Sequence, residues 1–439
     1  MGIPNIKGNL LLELYNFSNT PIDFLQQQFD KNGNQFKVNI LNRNIICTRN
    51  PVWLEHVFIK NKKNYTKDFT MKQIEFILGK GLLTNTGESW LNQRRIIQTA
   101  FYKGRLESLA EVMEDIIELH LSKLKAMASG TKFFIDKEML ELTATVALET
   151  ILGEQMNTEM TEVQKKMAEL QEFVVKRIKF PPYILLSYLD GSHQKAKQKL
   201  NEIDKVLYKI IEKRKVHQIE SFNLIALLLN AVDADTGEKM TDKQLRDELI
   251  TFYFAGHETT AFGLSWAFYE LVQQPDVVEK IRVEVKSVMQ NGKIGSDGLR
   301  KLSYTAAVVN EALRLHPPAY IVSREALEED VIEGEPIKKG DMIVVSLMDM
   351  HQHQDYWENP KQFTPDRFLN KDADKETYFN PFGAGPRICI GKHFALMEIT
   401  LVIAKLFAAL DFELVPNQKI DYEALVTLKP KNGIQLIKI

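Results

Sequence analysis

One cysteine constrains this 439-residue chain more than any other residue. Cys389 stands in Phe382-Gly383-Ala384-Gly385-Pro386-Arg387-Ile388-Cys389-Ile390-Gly391, a glycine-punctuated loop that runs directly into an apolar helical stretch. A cysteine binds a metal as the thiolate, which persists only where positive charge and hydrogen-bond donors face the sulfur. Gly383, Gly385 and Gly391 allow close approaches and backbone angles denied to other residues, so amides can turn toward the sulfur and the next helix can lie against a large flat ligand. Phe382 can screen that ligand from water. No second Cys stands at metal-chelate spacing from Cys389, which argues against a cysteine-rich zinc site.

A single thiolate is what a haem needs, because the porphyrin fills the in-plane positions. Phe382, Gly385, Arg387, Cys389 and Gly391 fill every fixed position of Phe-x-x-Gly-x-Arg-x-Cys-x-Gly. That pattern resembles the haem-ligand signature of the cytochrome P450 family. The resemblance implies haem b (iron protoporphyrin IX) with Cys389 as its axial ligand. It also implies a mainly α fold with small β-sheets, the haem lying between a long distal helix and the cysteine loop, and a monooxygenase activity.

Composition narrows the setting. With 44% hydrophobic residues the chain can bury a large core, and a formal charge of -2 gives no basic field for nucleic acid. Two cysteines far apart, Cys47 and Cys389, exclude a disulfide framework and suit a reducing cytoplasm, with Cys47 read as a small apolar residue. The longest apolar run in the first thirteen residues is three, so neither a signal peptide nor a membrane anchor is expected, as in the soluble bacterial members of the family. Apolar spacing predicts helices over 107–126, 136–152, 162–179, 192–216, 242–273 and 275–290. Strands are predicted over 36–40 with 44–48, over 342–347, and as a terminal hairpin of 426–428 with 434–439 around Lys431-Asn432-Gly433.

The longest helical pattern carries Phe252-Tyr253-Phe254-Ala255-Gly256-His257-Glu258-Thr259-Thr260-Ala261. A mid-helix glycine followed by an acid and two β-branched alcohols is locally unfavourable, and such conflicts gather at functional sites. The stretch is similar to the family's distal-helix motif. The resemblance implies that Gly256 lets the helix open, that Thr259 hydrogen-bonds dioxygen and steadies a water, and that Glu258 helps relay protons. His257 is read as packing against neighbouring helices.

Glu311 and Arg314 lie three apart on one helical face, by itself an ordinary pair worth roughly a few tenths of a kcal/mol. With Leu315-His316-Pro317-Pro318 following and Pro365-Asp366-Arg367-Phe368 farther on, they resemble the family's Glu-x-x-Arg and Pro-x-Arg-Phe elements. The resemblance implies a buried network of Glu311, Arg314 and Arg367 that locks the cysteine loop. Trp90 and Arg94, four apart on a predicted helix, can both donate to an acidic group. They match Trp-x-x-x-Arg, whose side chains hold a haem propionate. Arg324 and Arg387 fit the other propionate-binding positions, and Lys72 is a further candidate. His351-Gln352-His353 alternates as metal ligands do, yet its surroundings resemble the loop before Pro-x-Arg-Phe, so it is read as structural; Gln352 stands where relatives often carry arginine.

By position in the resemblance, the substrate pocket takes its walls from 73–82, 173–183, 252–260, 318–322 and the hairpin tip 431–433. The candidate lining is Gln73, Phe76, Ile77, Arg177, Phe254, Ala255, Tyr320, Ile321 and Asn432. Its apolar majority suits a lipid-like or aromatic small molecule, while Gln73, Lys176, Arg177, Tyr320 and Asn432 leave room for an oxygenated or anionic one. The implied reaction inserts one atom of dioxygen into a C–H bond, with oxidative O-demethylation of a methyl ether or methylated sugar as the alternative. A peroxide-using haem enzyme does not need the Glu258–Thr259 pair, and a haem-based sensor is the non-enzymatic rival. One catalytic unit, 1–439, is expected, with no fused reductase. Electrons would then come from a separate ferredoxin or flavodoxin with its reductase, docking on Arg95, Lys103, Arg105 and Lys392.

Overall fold

A helix of 30 residues, Asp242–Leu271, is buried along most of its length and passes from one hydrophobic core into another. A helix apolar on nearly every side belongs in the interior of a large fold. It starts at a capping box, in which the Gln244 amide donates to Thr241 Oγ1 at 3.3 Å and the Thr241 amide donates to Gln244 Oε1 at 2.8 Å. The structure, a computed structural model, describes all residues except 1, 7–9, 41–42, 102, 218–222, 233–236, 370–371 and 425, and the side chains of 10–12, 14, 100, 103–107, 217 and 374.

The two cores divide the central helix. Leu245 to Phe254 pack with the helices Thr158–Lys179, Ser192–His217 and Leu224–Asn230. Ala261 to Leu271 pack with Pro275–Val288, Ser303–Leu315 and Lys392–Ala409. Between them Ala255 to Thr259 are only part-covered, a break in an otherwise buried helix. The predicted helices all form, with shifted ends: 107–126 lies within Lys103–Lys125 and its end, and 136–152 is Ile135–Ala147 continued by a π-helical turn, Leu148–Leu152.

The largest sheet has five strands in the order Gln35–Ile40, Arg43–Thr48, Met342–Ser346, Ile321–Ala326, Tyr65–Thr66. Only Arg43–Thr48 with Met342–Ser346 is parallel. This sheet sets Arg324 opposite Ile343, mid-strand.

The terminal hairpin predicted from the sequence does not form. Leu428–Pro430 pairs with Tyr422–Ala424, and Gln435–Lys438 pairs with Lys132–Phe134 and Phe412–Leu414. A turn residue sets no partner by itself; long-range contacts do. Gly433, at φ 72, lies so close to Phe134 that a Cβ would meet its ring at 2.6 Å. The Ile434 amide donates to Asp136 Oδ1 at 3.0 Å and the Ile135 amide to the Ile434 carbonyl at 2.9 Å. Among the described residues no helix is long and apolar enough to cross a membrane.

Candidate active site around Cys389

The cysteine loop is shaped by its backbone. The Cys389 amide donates to the Phe382 carbonyl at 2.9 Å and the Gly383 amide to the Asn380 carbonyl at 2.9 Å. Gly385 is required: at φ 69 it presses on the π-helical turn His56–Lys60, where a Cβ would stand 2.0 Å from the Phe58 carbonyl oxygen. Gly391 serves by close approach alone, one of the two properties expected of it. Its φ is an ordinary -83, so it is not there for a special angle, and its missing Cβ leaves open ground 3.9 Å from the sulfur. The Cys389 side chain is open on one side and otherwise enclosed. Burial pushes its thiol up, while the Gly391 N–H and then Arg94 and Lys392 pull it down. A thiol so placed gives up its proton to a metal cation rather than to water.

The Glu311 network stands behind the loop. Arg314 donates to both Glu311 oxygens at 2.7 and 2.8 Å, and to the carbonyls of His351 at 2.8 Å, Pro360 at 2.6 Å and Gln362 at 3.1 Å. Arg367 Nε adds a bond to Glu311 at 3.0 Å, and the Thr364 amide another at 2.8 Å. The link to the cysteine loop is indirect. His351 Nε2 accepts from the Asn380 amide at 2.9 Å, and burial and the Arg314 charge hold the His351 imidazole neutral, its pKa pushed down to about 3. His353 bonds Asn34 instead, so the two histidines share no metal, and the described residues hold no cluster of metal ligands. Gln352, the departure from the family pattern, donates to the Leu315 carbonyl at 2.8 Å.

Beside the cysteine four cations gather with one acid. Arg387 lies 4.0 Å over the Trp90 ring and donates to the Asn85 carbonyl; Arg94 donates to the Ile388 carbonyl at 3.0 Å. Arg324 sits 4.4 Å over Phe58 and bonds its neighbour's carbonyl. Burial, then Arg324 and Arg94, push Arg387 down to about 10; burial pushes Arg324 to about 10 against the pull of Asp68. The fourth is Lys67, which burial and then Arg324 and Arg387 hold well below its ordinary value. Lys72, the lysine named from the sequence, is exposed. Asp68 is itself engaged, capping Phe69–Leu78 through the Thr70 amide and accepting from Ser323. A group carrying two carboxylates supplies the charge this cluster lacks, and the donor set therefore fits a haem with its two propionates.

The part-covered stretch of the central helix supplies another wall. The helix runs unbroken through Gly256, contrary to the expected opening, because the Thr259 hydroxyl bonds back to the Ala255 carbonyl at 2.7 Å without displacing the helix. A Cβ on Gly256 would meet only Ile151, at 3.9 Å. Glu258 is held by Gln171, which donates to both its oxygens at 3.1 and 2.8 Å; burial raises its pKa, against Gln171, Lys429 and Thr427. Those three partners escaped the sequence reading, since nothing in their spacing ties them to residue 258. His257 stacks on Tyr253, one turn back on its own helix, at 4.8 Å.

The pocket candidates divide. Phe254 and Ile77 lie in the same core, against which Phe76 packs. Gln73 and Ala255 are part-covered, and Tyr320 is buried against Ile22, Met348 and Leu428, with Ile321 beside them. Asn432 is exposed at its turn, and from the same segment of chain Thr427 and Lys429 act on Glu258. Of the docking candidates, Arg95 is exposed and Lys392 lies 5.8 Å over the Phe382 ring; the side chains of Lys103 and Arg105 are outside the described residues.

Known proteins are similar to this chain over most of its length. A family model described as Cytochrome P450 matches residues 4–437. The chain is 29% identical over 411 residues to cytochrome P450 132 of Mycobacterium tuberculosis, covering 90% of this chain and 88% of that protein. It is 32% identical over 379 residues to a cytokinin hydroxylase of Arabidopsis thaliana (82% and 72% covered), and 30% identical over 391 residues to cytochrome P450 4A14 of Rattus norvegicus (82% and 75% covered).

Proposed function

The chain belongs to the cytochrome P450 family, whose members are monooxygenase oxidoreductases, and from that premise we propose that it hydroxylates a small lipid-like or aromatic molecule using haem b ligated by Cys389. The observation that carries this reading is the gathering of Arg94, Arg324 and Arg387 near Cys389 with, among the described residues, only Asp68 acting on Arg324 as a counter-charge. When bound, haem supplies the activation of dioxygen.

The protein's own groups do the rest. The Gly391 N–H and Arg94 favour the thiolate, Trp90, Arg94, Arg324, Arg387 and Lys67 would hold the propionates of a bound haem, and Phe382 would screen it from water. Thr259 offers a hydroxyl that can turn from the Ala255 carbonyl toward substrate-side oxygen. Glu258, its pKa raised by burial, holds a proton more readily than an exposed glutamate and can pass it along the helix face to Thr259. Phe76, Ile77 and Phe254 keep water from the substrate. Electrons come from a separate ferredoxin or flavodoxin that docks near Arg95 and Lys392, in the reducing cytoplasm that two unpaired cysteines suit.

The test is spectroscopic and then catalytic. Purified protein should be red and its reduced carbonmonoxy form should show the thiolate-type Soret band, lost in Cys389→Ala. With a surrogate ferredoxin pair it should consume dioxygen and yield hydroxylated product. A colourless protein, or a thiolate band that survives Cys389→Ala, overturns the reading.

A further inference from the structure

The helix Thr158–Lys179 ends in three cations that are not partnered alike. Lys176 lies 3.9 Å from the Tyr183 ring centroid and close enough to Asp190 to lower that acid's pKa, after the bonds from Ser192. Lys179 feels Glu423. Arg177 is 4% exposed, yet its enclosed Nε has no acceptor and no carboxylate among the described residues pairs with it.

Aromatic rings surround it instead. Its guanidinium lies 4.9 Å from the Phe173 centroid, 5.5 Å from Phe76 and 6.0 Å from Tyr188. His193 closes the box, stacked on Tyr188 at 4.1 Å, and its own Nδ1 is enclosed without a partner. Burial, then the charges of Arg177 and Lys197, lower the pKa of His193, so it is a neutral donor beside the cation. Ring faces offset only part of what a guanidinium loses on leaving water, and they offer no acceptor to its planar fork. A carboxylate supplies both the charge and two acceptors in matching geometry.

The box also communicates with the active site through apolar surface. Phe76 and Phe173 pack against the core that holds Phe254, the residue before the part-covered stretch Ala255 to Thr259. We propose that Arg177 binds the carboxylate of the substrate, so that the substrate is an apolar carboxylic acid seated with its charged end among Phe76, Phe173, Tyr188 and His193. The proposal rests on the monooxygenase reading above and names the substrate class.

Titration of the holoenzyme with hexanoate, dodecanoate and hexadecanoate, their methyl esters and the matching alcohols tests it, read by the low- to high-spin shift and independently by calorimetry. At least one acid should bind about tenfold more tightly than its own ester and alcohol. Arg177→Gln should abolish that preference by weakening the acid while leaving ester and alcohol within about twofold, and Arg177→Lys should keep part of it. Equal binding of acid, ester and alcohol by the wild type, no binding of any acid, or equal weakening of all three by Arg177→Gln overturns the proposal. The wild-type series decides the matter even if Arg177→Gln does not fold. A thiolate-type carbonmonoxy spectrum alongside absent acid preference leaves the monooxygenase reading standing, whereas its loss in the wild type strikes that reading instead.

Discussion

Two groups of buried arginines lie on either side of the cysteine loop and are finished differently. Around Glu311, the guanidinium of Arg314 has acceptors for Nε and both terminal nitrogens, Arg367 adds its own bond, and Trp357 lies against both. Around Cys389, Arg94, Arg324, Arg387 and Lys67 share one acid, and Asp68 is already occupied by Thr70 and Ser323. The first group is complete when the chain folds. The second becomes complete only with an anion from outside; burial first, and for Arg387 then the charges of Arg324 and Arg94, lowers the basicity of its members. Closed networks are scaffold and open ones are binding sites, and Arg177 is a smaller case of the second kind.

The comparison is broken most directly at Glu311. Glu311→Gln leaves Arg314 stranded with no counter-charge, at a cost of roughly 3 to 5 kcal/mol, and denaturant unfolding should show it. Arg367→Gln should cost less, about 1 to 2 kcal/mol, because Arg314 still answers the carboxylate. Equal costs would mean that Glu311 is not the hub.

A group between the two kinds gives the next effect. Glu248 accepts from the Leu82 amide at 3.0 Å through one oxygen, while the other is enclosed without a partner, and burial pushes its pKa from an ordinary 4.5 up to about 8. Its neighbour Asp247 is paired with Arg246 and Lys243. The folded state therefore keeps a proton that the unfolded state loses as pH rises past 4.5, so stability falls between there and about 8 and the full penalty stands above 8. Glu248→Gln should exceed the wild type by on the order of a few kcal/mol at alkaline pH and match it near pH 4, read from melting temperature against pH. A difference independent of pH would show that Glu248 is not titrating.

The open cluster behaves oppositely to the closed one. Arg387→Gln should leave the melting of the apoprotein unchanged or slightly raised, since it relieves repulsion, yet speed haem loss to apomyoglobin by about tenfold. Destabilised apoprotein would place Arg387 with the scaffold. The smallest effect separates two lysines: Lys67→Gln should increase haem loss by about threefold, and Lys72→Gln should not change it.

The cysteine loop and the central helix were legible in the sequence, because one rests on residues close together in the chain and the other on a long periodic pattern, whereas the Glu311 network was legible only through the family resemblance, since Arg367 stands 56 residues from Glu311. The predicted helices form where apolar spacing put them. The terminal hairpin failed for the converse reason: Gly433 announced a turn, but contacts with Phe134 and Asp136, about three hundred residues away, chose the strand partners. Lys67, which the sequence did not single out, faces the arginines, while the sequence candidate Lys72 is exposed.

From the sequence alone came the candidates, Cys389 as ligand and Glu258 with Thr259 as acid and alcohol, since one loop and one helical turn carry the motifs that resemble the family's. Tertiary structure alone decided which cations surround the sulfur, that Gln171 holds Glu258, and that Arg177 ends without a carboxylate among the described residues. Charge balance in a folded interior depends on which distant elements meet, and spacing along the chain does not encode that.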